Sequence, residues 1–249
     1  MLRGVPTVAS PPQTKTVRHN ALVRLTHWLT FVAFMALLIT GLEIVISHPR
    51  FYWGETGNVN MRPLFTIPIP SSRDTVPTGY KYVMPDQNGW SRYLHFQSAW
   101  LLVLTGAVYL VAGLWTGHFR KNLWPERGNR GWGAYWGRMG KYLRREAADP
   151  AEVRSYNVLQ RTAYLGVIFV LFPLVIWTGL ALSPAFNSAF PWAVNVLGGR
   201  QSARTLHFFI TWALVLFLLI HVAMVALTGF RNRMRGMITG RVDETEERP

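Results

Sequence analysis

Apolar residues are concentrated in four long stretches of the chain, with polar and basic segments between them. The stretches cover residues 25–46, 93–115, 162–182 and 205–230. Each has more than twenty residues, which is long enough for an α-helix to cross a hydrocarbon core of about 30 Å. In lipid, backbone polar groups must be bonded within their own segment, so stretches of this kind predict helices. We therefore predict an all-α integral membrane four-helix bundle.

Basic residues predict the orientation of this bundle. The 249-residue chain has a formal net charge of +14. Lys and Arg crowd the segments before the first stretch, between the second and third, and after the fourth, whereas residues 183–204 carry only Arg200 and Arg204. The positive-inside rule then places both termini and the middle loop in the cytoplasm. Because the basic residues follow membrane topology and not one folded face, we exclude a nucleic-acid binder.

The remaining segments predict one membrane domain with two tails. Residues 1–18 and 236–249 are predicted to be disordered cytoplasmic tails, and residues 19–235 form the four-span domain. The outer loop 47–92 is rich in proline and aromatic residues, and two interpretations stay open. It is either a docking surface for an extramembrane partner or a cap on the membrane surface. Residues 132–145 have the spacing of an amphipathic helix in the inner interface.

Histidine is the residue type that carries candidate chemistry in this chain. There is no cysteine, which excludes iron–sulfur ligation and covalent haem attachment by this chain. The fourth stretch holds His207 and His221, fourteen residues apart. On a helix this spacing is about 21 Å of rise and almost four turns, so both imidazoles project from nearly the same side. Such a helix is suited to ligate two stacked haem groups across a membrane.

Depth in the membrane predicts the opposite ligands. His95 and His207 each lie two residues inside the outer end of their stretches. His27 lies near the inner end of the first stretch and pairs with His221, a looser match that a helix tilt absorbs. These pairs predict bis-histidine ligation of two b-type haems, against the alternative of interhelical hydrogen bonding by each histidine. His118, just beyond the second stretch, is kept as a spare inner-side ligand.

These histidines and several motifs resemble the di-haem cytochrome b subunits of nickel–iron hydrogenases, formate dehydrogenases and related periplasmic molybdenum oxidoreductases. The motifs are Arg-x-x-His-Trp from Arg24, Thr-Gly-Leu at 40–42 and at 178–180, Tyr-Asn-x-x-Gln-Arg from Tyr156, and the two histidines of the fourth stretch. The resemblance covers about residues 18–235. It implies that His27 and His221 hold the cytoplasmic-side haem and that His95 and His207 hold the periplasmic-side haem, in agreement with the pairing from depth.

The resemblance also implies a quinone site beside the inner haem. In formate dehydrogenase relatives the quinone lies close to the asparagine of the Tyr-Asn-x-x-Gln motif, and Asn157 is the matching residue. Gln160 and Arg24 are the residues expected to assist it. The alternative is that Asn157 caps the third helix, because Asn is a preferred N-cap residue. The two roles are compatible.

The predicted function is electron transfer in a bacterial inner membrane. Electrons pass between a periplasmic redox partner and the quinone pool through two b-type haems, and any substrate chemistry resides on the partner. Analogy favours a molybdopterin enzyme as this partner, with hydrogenase or formate dehydrogenase as alternatives. Two other functions stay open, namely a haem-free proton-relay or transport bundle that uses the histidines, and a membrane anchor with structural haem.

Overall fold

The computed structural model describes residues 15–17, 19–58, 60–68, 87–125, 131–144, 157–227 and 229–243. Their elements, in chain order, are β1 (Lys15–Val17), α1 (Ala21–Ser47), β2 (Arg50–Phe51), β3 (Phe65–Thr66), α2 (Gln87–Trp115), α3 (Trp132–Leu143), α4 (Val158–Ala181), α5 (Pro184–Ala189), α6 (Pro191–Asn195), α7 (Arg200–Leu227), α8 (Phe230–Thr239) and β4 (Arg241–Asp243). A π-helical turn, Phe119–Leu123, follows α2.

Four of these helices, α1, α2, α4 and α7, are long and apolar enough to span a membrane. Only 11% of the most apolar window of α1 and 6% of that of α7 is buried inside the protein. Few of their residues are fully buried, and several large apolar side chains are exposed, as in helices that contact lipid. The predicted all-α fold with four membrane spans is confirmed.

The spans pack as two helix pairs. Among the described residues, close backbone contacts between spans are concentrated between α1 and α2 and between α4 and α7. Two buried threonines, Thr40 on α1 and Thr178 on α4, lie within these pairs. Their hydroxyls donate to the carbonyls of Ala36 and Leu174, one turn earlier, so that neither hydroxyl hydrogen is left without an acceptor.

The third span, α4, contains a local distortion before its proline. Its segment Val167–Leu171 is a π-helical turn, and the N–H of Phe172 donates to the carbonyl of Val167. Pro173 follows directly; it has no N–H to donate and its ring crowds the preceding turn. A widened turn relieves such crowding. The distortion of α4 thus lies immediately before Pro173.

Residues 48–58 and 60–68 form an outer cap on the N-terminal end of α7. Strands β2 and β3 pair antiparallel within it. The guanidinium of Arg204 donates to the carbonyls of His48 and Arg50, the latter at 3.1 Å, and lies 4.8 Å from the ring centroid of Phe51. The described half of the outer loop is therefore fixed to α7. The other half, 69–86, lies outside the described residues.

The outer cap also closes the first turn of α7, whose N–H groups have no partner within the helix. The carbonyl of Gly54 accepts from the N–H groups of Gln201 and Ser202, and a carboxylate oxygen of Glu55 accepts from the N–H of Arg200 at 2.9 Å. At Gly199, φ is +99° and an added Cβ would lie 2.7 Å from the backbone nitrogen of Glu55. The outer cap and the start of α7 approach each other so closely at this position that glycine is required.

The two ends of the described chain meet at the inner end of the bundle. Strand β1 pairs antiparallel with β4. The indole N–H of Trp28 donates to the carbonyl of Met237 at 3.1 Å, which joins α1 to α8. The prediction of disordered tails is therefore corrected for residues 15–17 and 236–243, because backbone pairing and contacts with α1 order them. Residues 1–14 and 244–249 lie outside the described chain.

The predicted amphipathic helix of the middle loop is present as α3. Its residues Trp132 and Trp136 are 80% and 69% exposed, so the helix presents aromatic side chains to its surroundings. The hydroxyl of Tyr135 is hydrogen-bonded to that of Thr162 at 2.9 Å, which holds α3 against α4. Its location in the membrane interface stays a prediction.

The tether made by Arg204 can be tested by protease access. We expect Arg204→Met to release the outer cap, because the aliphatic side chain cannot donate to the two carbonyls; charge-assisted bonds of this kind contribute about 2 kcal/mol. Chymotrypsin cleavage at Phe51 to Trp53 should accelerate by roughly tenfold or more in detergent solution. Arg62→Met, at an exposed residue of the same loop, is the control and should cleave at the wild-type rate. Equal rates for both variants would show that Arg204 does not hold the cap.

Candidate functional site

Four histidines of the spans form two facing pairs along α7. On the outer side the ring centroids of His95 and His207 are 6.4 Å apart. On the inner side those of His27 and His221 are 6.3 Å apart. All four side chains are partly buried. The structure thus brings together both pairs expected from depth, including the inner pair, for which the depth match is looser.

The spacing of each pair fits one metal ion between two imidazoles. A metal–imidazole nitrogen bond is about 2.0–2.1 Å and the nitrogen lies about 1.1 Å from its ring centroid, so two axial imidazoles stand about 6.3 Å apart. Among the described residues there is no group of three or more His, Cys, Asp or Glu side chains that can hold a metal ion. Haem iron needs only two axial ligands from the protein, because the porphyrin supplies the others. The donor set fits haem and does not fit a zinc site.

The outer pair is held by hydroxyl groups from the neighbouring helices. Nδ1 of His95 lies 3.0 Å from the hydroxyl of Thr40, and Nδ1 of His207 lies 3.0 Å from that of Thr178. Nothing in the hydropathy or depth pattern predicts these contacts. The repeated Thr-Gly-Leu motif is the signal that points to them, since it occurs once on each partner helix.

The inner pair lies among aromatic rings. Phe217 stacks on His221 with centroids 5.8 Å apart, and the ring of Tyr164 stands edge-on to His221 at 6.2 Å. Trp28 stands edge-on to His27 at 5.3 Å. In the described part of the chain, Nδ1 of His27 is buried without a hydrogen-bond partner. Such a group is costly to leave unsatisfied, and this distinguishes the inner pair from the outer pair, whose Nδ1 atoms lie beside hydroxyl groups.

The residues expected to serve a quinone have structural contacts of their own. The side-chain oxygen of Asn157 accepts from the N–H of Gln160 at 3.0 Å, and the side chain of Gln160 accepts from the N–H of Asn157 at 3.3 Å. This capping box begins α4, so the helix-capping alternative for Asn157 is confirmed. The guanidinium of Arg24 donates to the carbonyl of Ile238 and joins α1 to α8. Quinone contact by these three residues stays a prediction.

Arg161 is a further buried residue at the inner end. Its guanidinium donates to the carbonyl of Trp124 at 2.9 Å, which joins α4 to the segment that follows α2. The two helix pairs are therefore linked by this charged side chain at the end of the bundle where α2 ends and α4 begins. Only its place in the Tyr-Asn-x-x-Gln-Arg motif marks Arg161 in the sequence.

The histidines outside the spans have local partners. Nδ1 of His118 accepts from the amide of Asn122 at 2.9 Å, and its ring packs 6.0 Å from that of Tyr109. These contacts lie within its own segment and give no support to a role as an inner-side ligand. Burial, and then the positive charges of Arg204 and Arg92, lower the pKa of His48 below its ordinary value, so its imidazole is neutral at pH 7.

Comparison with known proteins finds relatives that cover most of the chain. A family model described as prokaryotic cytochrome b561 matches residues 18–240. A putative protein-methionine-sulfoxide reductase subunit YedZ1 of Azospira oryzae is 30% identical over 224 residues, which cover 84% of this chain and 90% of the relative. Probable Ni/Fe-hydrogenase B-type cytochrome subunits of Cupriavidus necator and Azotobacter vinelandii are 28% and 26% identical, and the matches cover 86% and 84% of this chain and 81% and 80% of the relatives.

The family match extends over all four spans and both histidine pairs. It agrees with the resemblance that the motifs indicate, and it implies a b-type haem and electron transfer in a multi-pass membrane protein. The chain belongs to the prokaryotic cytochrome b561 family.

Proposed function

We propose that this protein is the quinone-reactive electron-transfer subunit of an oxidoreductase complex and that it holds two b-type haems. His95 and His207 are the proposed axial ligands of the outer haem, and His27 and His221 those of the inner haem. The observation that carries the proposal is the pair of facing imidazoles at each end of one helix, with centroids 6.4 Å and 6.3 Å apart.

Haem bound at these sites supplies a reversible one-electron carrier. The protein determines where the two haem sites lie relative to each other. α7 presents both of its histidines on one side, about 21 Å apart along the helix, which fixes the separation of the two sites along its axis. At the inner pair, Phe217 and Tyr164 pack against His221 and exclude water from the imidazole. Exclusion of water and a low local dielectric are the means by which a protein tunes the potential of a bound haem.

We propose that the partner is a periplasmic oxidoreductase subunit. Relatives named as subunits of a methionine-sulfoxide reductase and of hydrogenases support an oxidoreductase partner. A molybdopterin enzyme is favoured by analogy, with hydrogenase or formate dehydrogenase as alternatives. The outer cap supports docking on that side, because it is fixed to α7 close to His207 and exposes Trp53 and Leu64 by 58% and 60%. Exposed aromatic side chains are typical anchors of interfaces.

The proposed location is the bacterial inner membrane, with both termini in the cytoplasm. The distribution of Lys and Arg supports this orientation through the positive-inside rule. The antiparallel pairing of β1 with β4 supports it as well, since it keeps both ends of the described chain at one end of the bundle.

The proposed quinone site lies beside the inner haem, at the start of α4. Tyr164 of α4 contacts His221, and Asn157 lies seven residues before it, about 10 Å along the helix. The capping role of Asn157 uses its side-chain oxygen, whereas a quinone carbonyl needs a donor, and the amide NH2 is one. Capping and quinone binding are therefore chemically compatible. Gln160 and Arg24 are the proposed assisting residues.

Haem content tests the ligand assignment. We expect about two haems b per chain in the purified wild-type protein by the pyridine haemochrome assay, and about one in His207→Ala and in His221→Ala, because each variant removes a ligand of one pair. His118→Ala is the control and should keep both haems. A folded wild-type protein without haem, produced with ample haem supply, would contradict the proposal and favour the proton-relay alternative.

Three substitutions of Asn157 separate its two roles. Asp and Ser retain N-capping but lack the amide donor, whereas Ala lacks both and should lose about 1 kcal/mol of stability. If Asn157 binds quinone, a quinol donor should reduce the haems of Asn157→Asp and Asn157→Ser more slowly than those of the wild type. Both variants should still melt near the wild-type temperature. If the haems of both variants are reduced at the wild-type rate, Asn157 caps the helix and does not bind quinone. A wild-type protein whose haems no quinol reduces would favour the membrane anchor with structural haem.

A further inference from the structure

The outer histidine site is built twice from the same parts. On one helix pair, Thr40 and Gly41 of α1 contact His95 of α2. On the other, Thr178 and Gly179 of α4 contact His207 of α7. Both hydroxyl–Nδ1 distances are 3.0 Å. Two helix pairs thus reproduce the same contact with the same residue types.

The hydroxyl protons decide the direction of these hydrogen bonds. The hydroxyl of Thr40 donates to the carbonyl of Ala36 at 2.7 Å, and that of Thr178 donates to the carbonyl of Leu174 at 2.7 Å. A hydroxyl has one proton, and with that proton on the carbonyl each threonine has only lone pairs left for the imidazole, so we infer that it accepts from Nδ1–H. Nδ1 of each histidine therefore carries the proton, and Nε2 keeps its lone pair. Nε2 is thereby left as the nitrogen that can bind a metal ion.

The glycines next to these threonines confine the rings. A Cβ added at Gly179 would lie 3.2 Å from Cε1 of His207, and one added at Gly41 would lie 3.5 Å from Cε1 of His95. The imidazole of His207 therefore lies close to the backbone of α4, whereas a Cβ at position 41 would be at ordinary van der Waals distance from His95. The Nδ1 atom of each ring lies beside a hydroxyl. Rotation of the His207 ring would break this contact, so the ring plane of His207 is the more restricted of the two.

The inner pair has a different environment. Within the described residues, Nδ1 of His27 has no hydrogen-bond partner, and His221 is stacked on Phe217. The two sites thus have the same ligand type but differ in what lies behind the ligand. At the outer pair, a hydrogen bond from Nδ1–H to a threonine hydroxyl raises the basicity of the ligating histidine and so favours the more oxidised metal.

We propose that Thr40 and Thr178 are positioning residues for the outer haem: they hold Nδ1–H of His95 and His207, direct Nε2 of both to the iron, and lower the haem's midpoint potential. The inference rests on the proposed function, because it requires haem between His95 and His207. It goes beyond that function in assigning the threonines, and not the ligands alone, to the tuning of one of the two sites.

Redox titration of the haem spectrum tests this assignment. The outer haem is identified as the signal that His95→Ala loses. We expect Thr178→Val, which keeps the side-chain shape without the hydroxyl, to raise the potential of that signal and to weaken haem retention at that site by about 10–100-fold. Thr178→Ser restores the hydroxyl and should return both quantities towards wild type. Thr40→Val and Thr40→Ser should behave in the same way.

The inner haem of each variant serves as its folding control, since its signal should not move. Thr26→Val is the matched control, because Thr26 is buried and its hydroxyl donates to the carbonyl of Leu22 at 2.9 Å; it should leave the outer signal unchanged. If a valine variant loses the outer haem altogether, recovery in the serine variant supports the inference, and no recovery overturns it.

Two further outcomes separate the inference from the proposed function. Wild-type potential and retention in both valine variants would overturn the inference and leave the two-haem proposal intact. A wild-type protein that binds no haem would overturn both.

Discussion

Two axial imidazoles on opposite sides of one iron stand about 6.3 Å apart, and in the proposed function α7 has to meet this condition twice. Its own geometry fixes the separation of His207 and His221, so each partner histidine must be brought to the correct depth by another helix. α2 does this on the outer side and α1 on the inner side. Close backbone packing is found within the helix pairs and little of it lies between α7 and either partner helix. The paired histidines thus face each other across the boundary between the two helix pairs.

The contacts outside the spans stabilise this arrangement at both ends. Arg204 lies three residues before His207 and fixes the outer cap to the start of α7. Trp28 follows His27 directly and fixes the inner end of α1 to α8. Each tether is therefore within one helical turn of a histidine of the site. A partner that docks on the outer cap, or a change in the C-terminal segment, acts on residues adjacent to the proposed ligands.

The properties that local sequence determines could be predicted. Apolar length identifies the four spans, helical periodicity places His207 and His221 on one side, and a preferred N-cap residue marks the start of α4 at Asn157. Exact helix ends could not be predicted in this way. Hydropathy marks the start of the fourth span at residue 205, whereas α7 begins at Arg200, because the polar first turn is closed by the outer cap.

Contacts between segments that are distant in the sequence could not be predicted either. Thr40 and His95 are 55 residues apart in the chain, and no periodicity within one helix relates them. The pairing of β1 with β4 joins the two ends of the described chain. The composition of these segments indicates disorder, because it contains no sign of the backbone hydrogen bonds and the contacts with α1 that order them. These features depend on the assembled bundle. Repetition was the one usable signal, since the same Thr-Gly-Leu motif closes both helices that support the outer histidines.

The two ends of α7 differ in symmetry, and this difference fits the division of labour in the proposed function. At the outer end both helix pairs contribute a threonine, a glycine and a histidine in the same arrangement, so the two proposed axial ligands have matching surroundings. At the inner end Tyr164 and Phe217 pack on His221, whereas His27 has Trp28 beside it. A site that only passes electrons needs no preferred side. A site that also serves a quinone needs an approach from one direction, and the asymmetric inner pair provides two distinct sides.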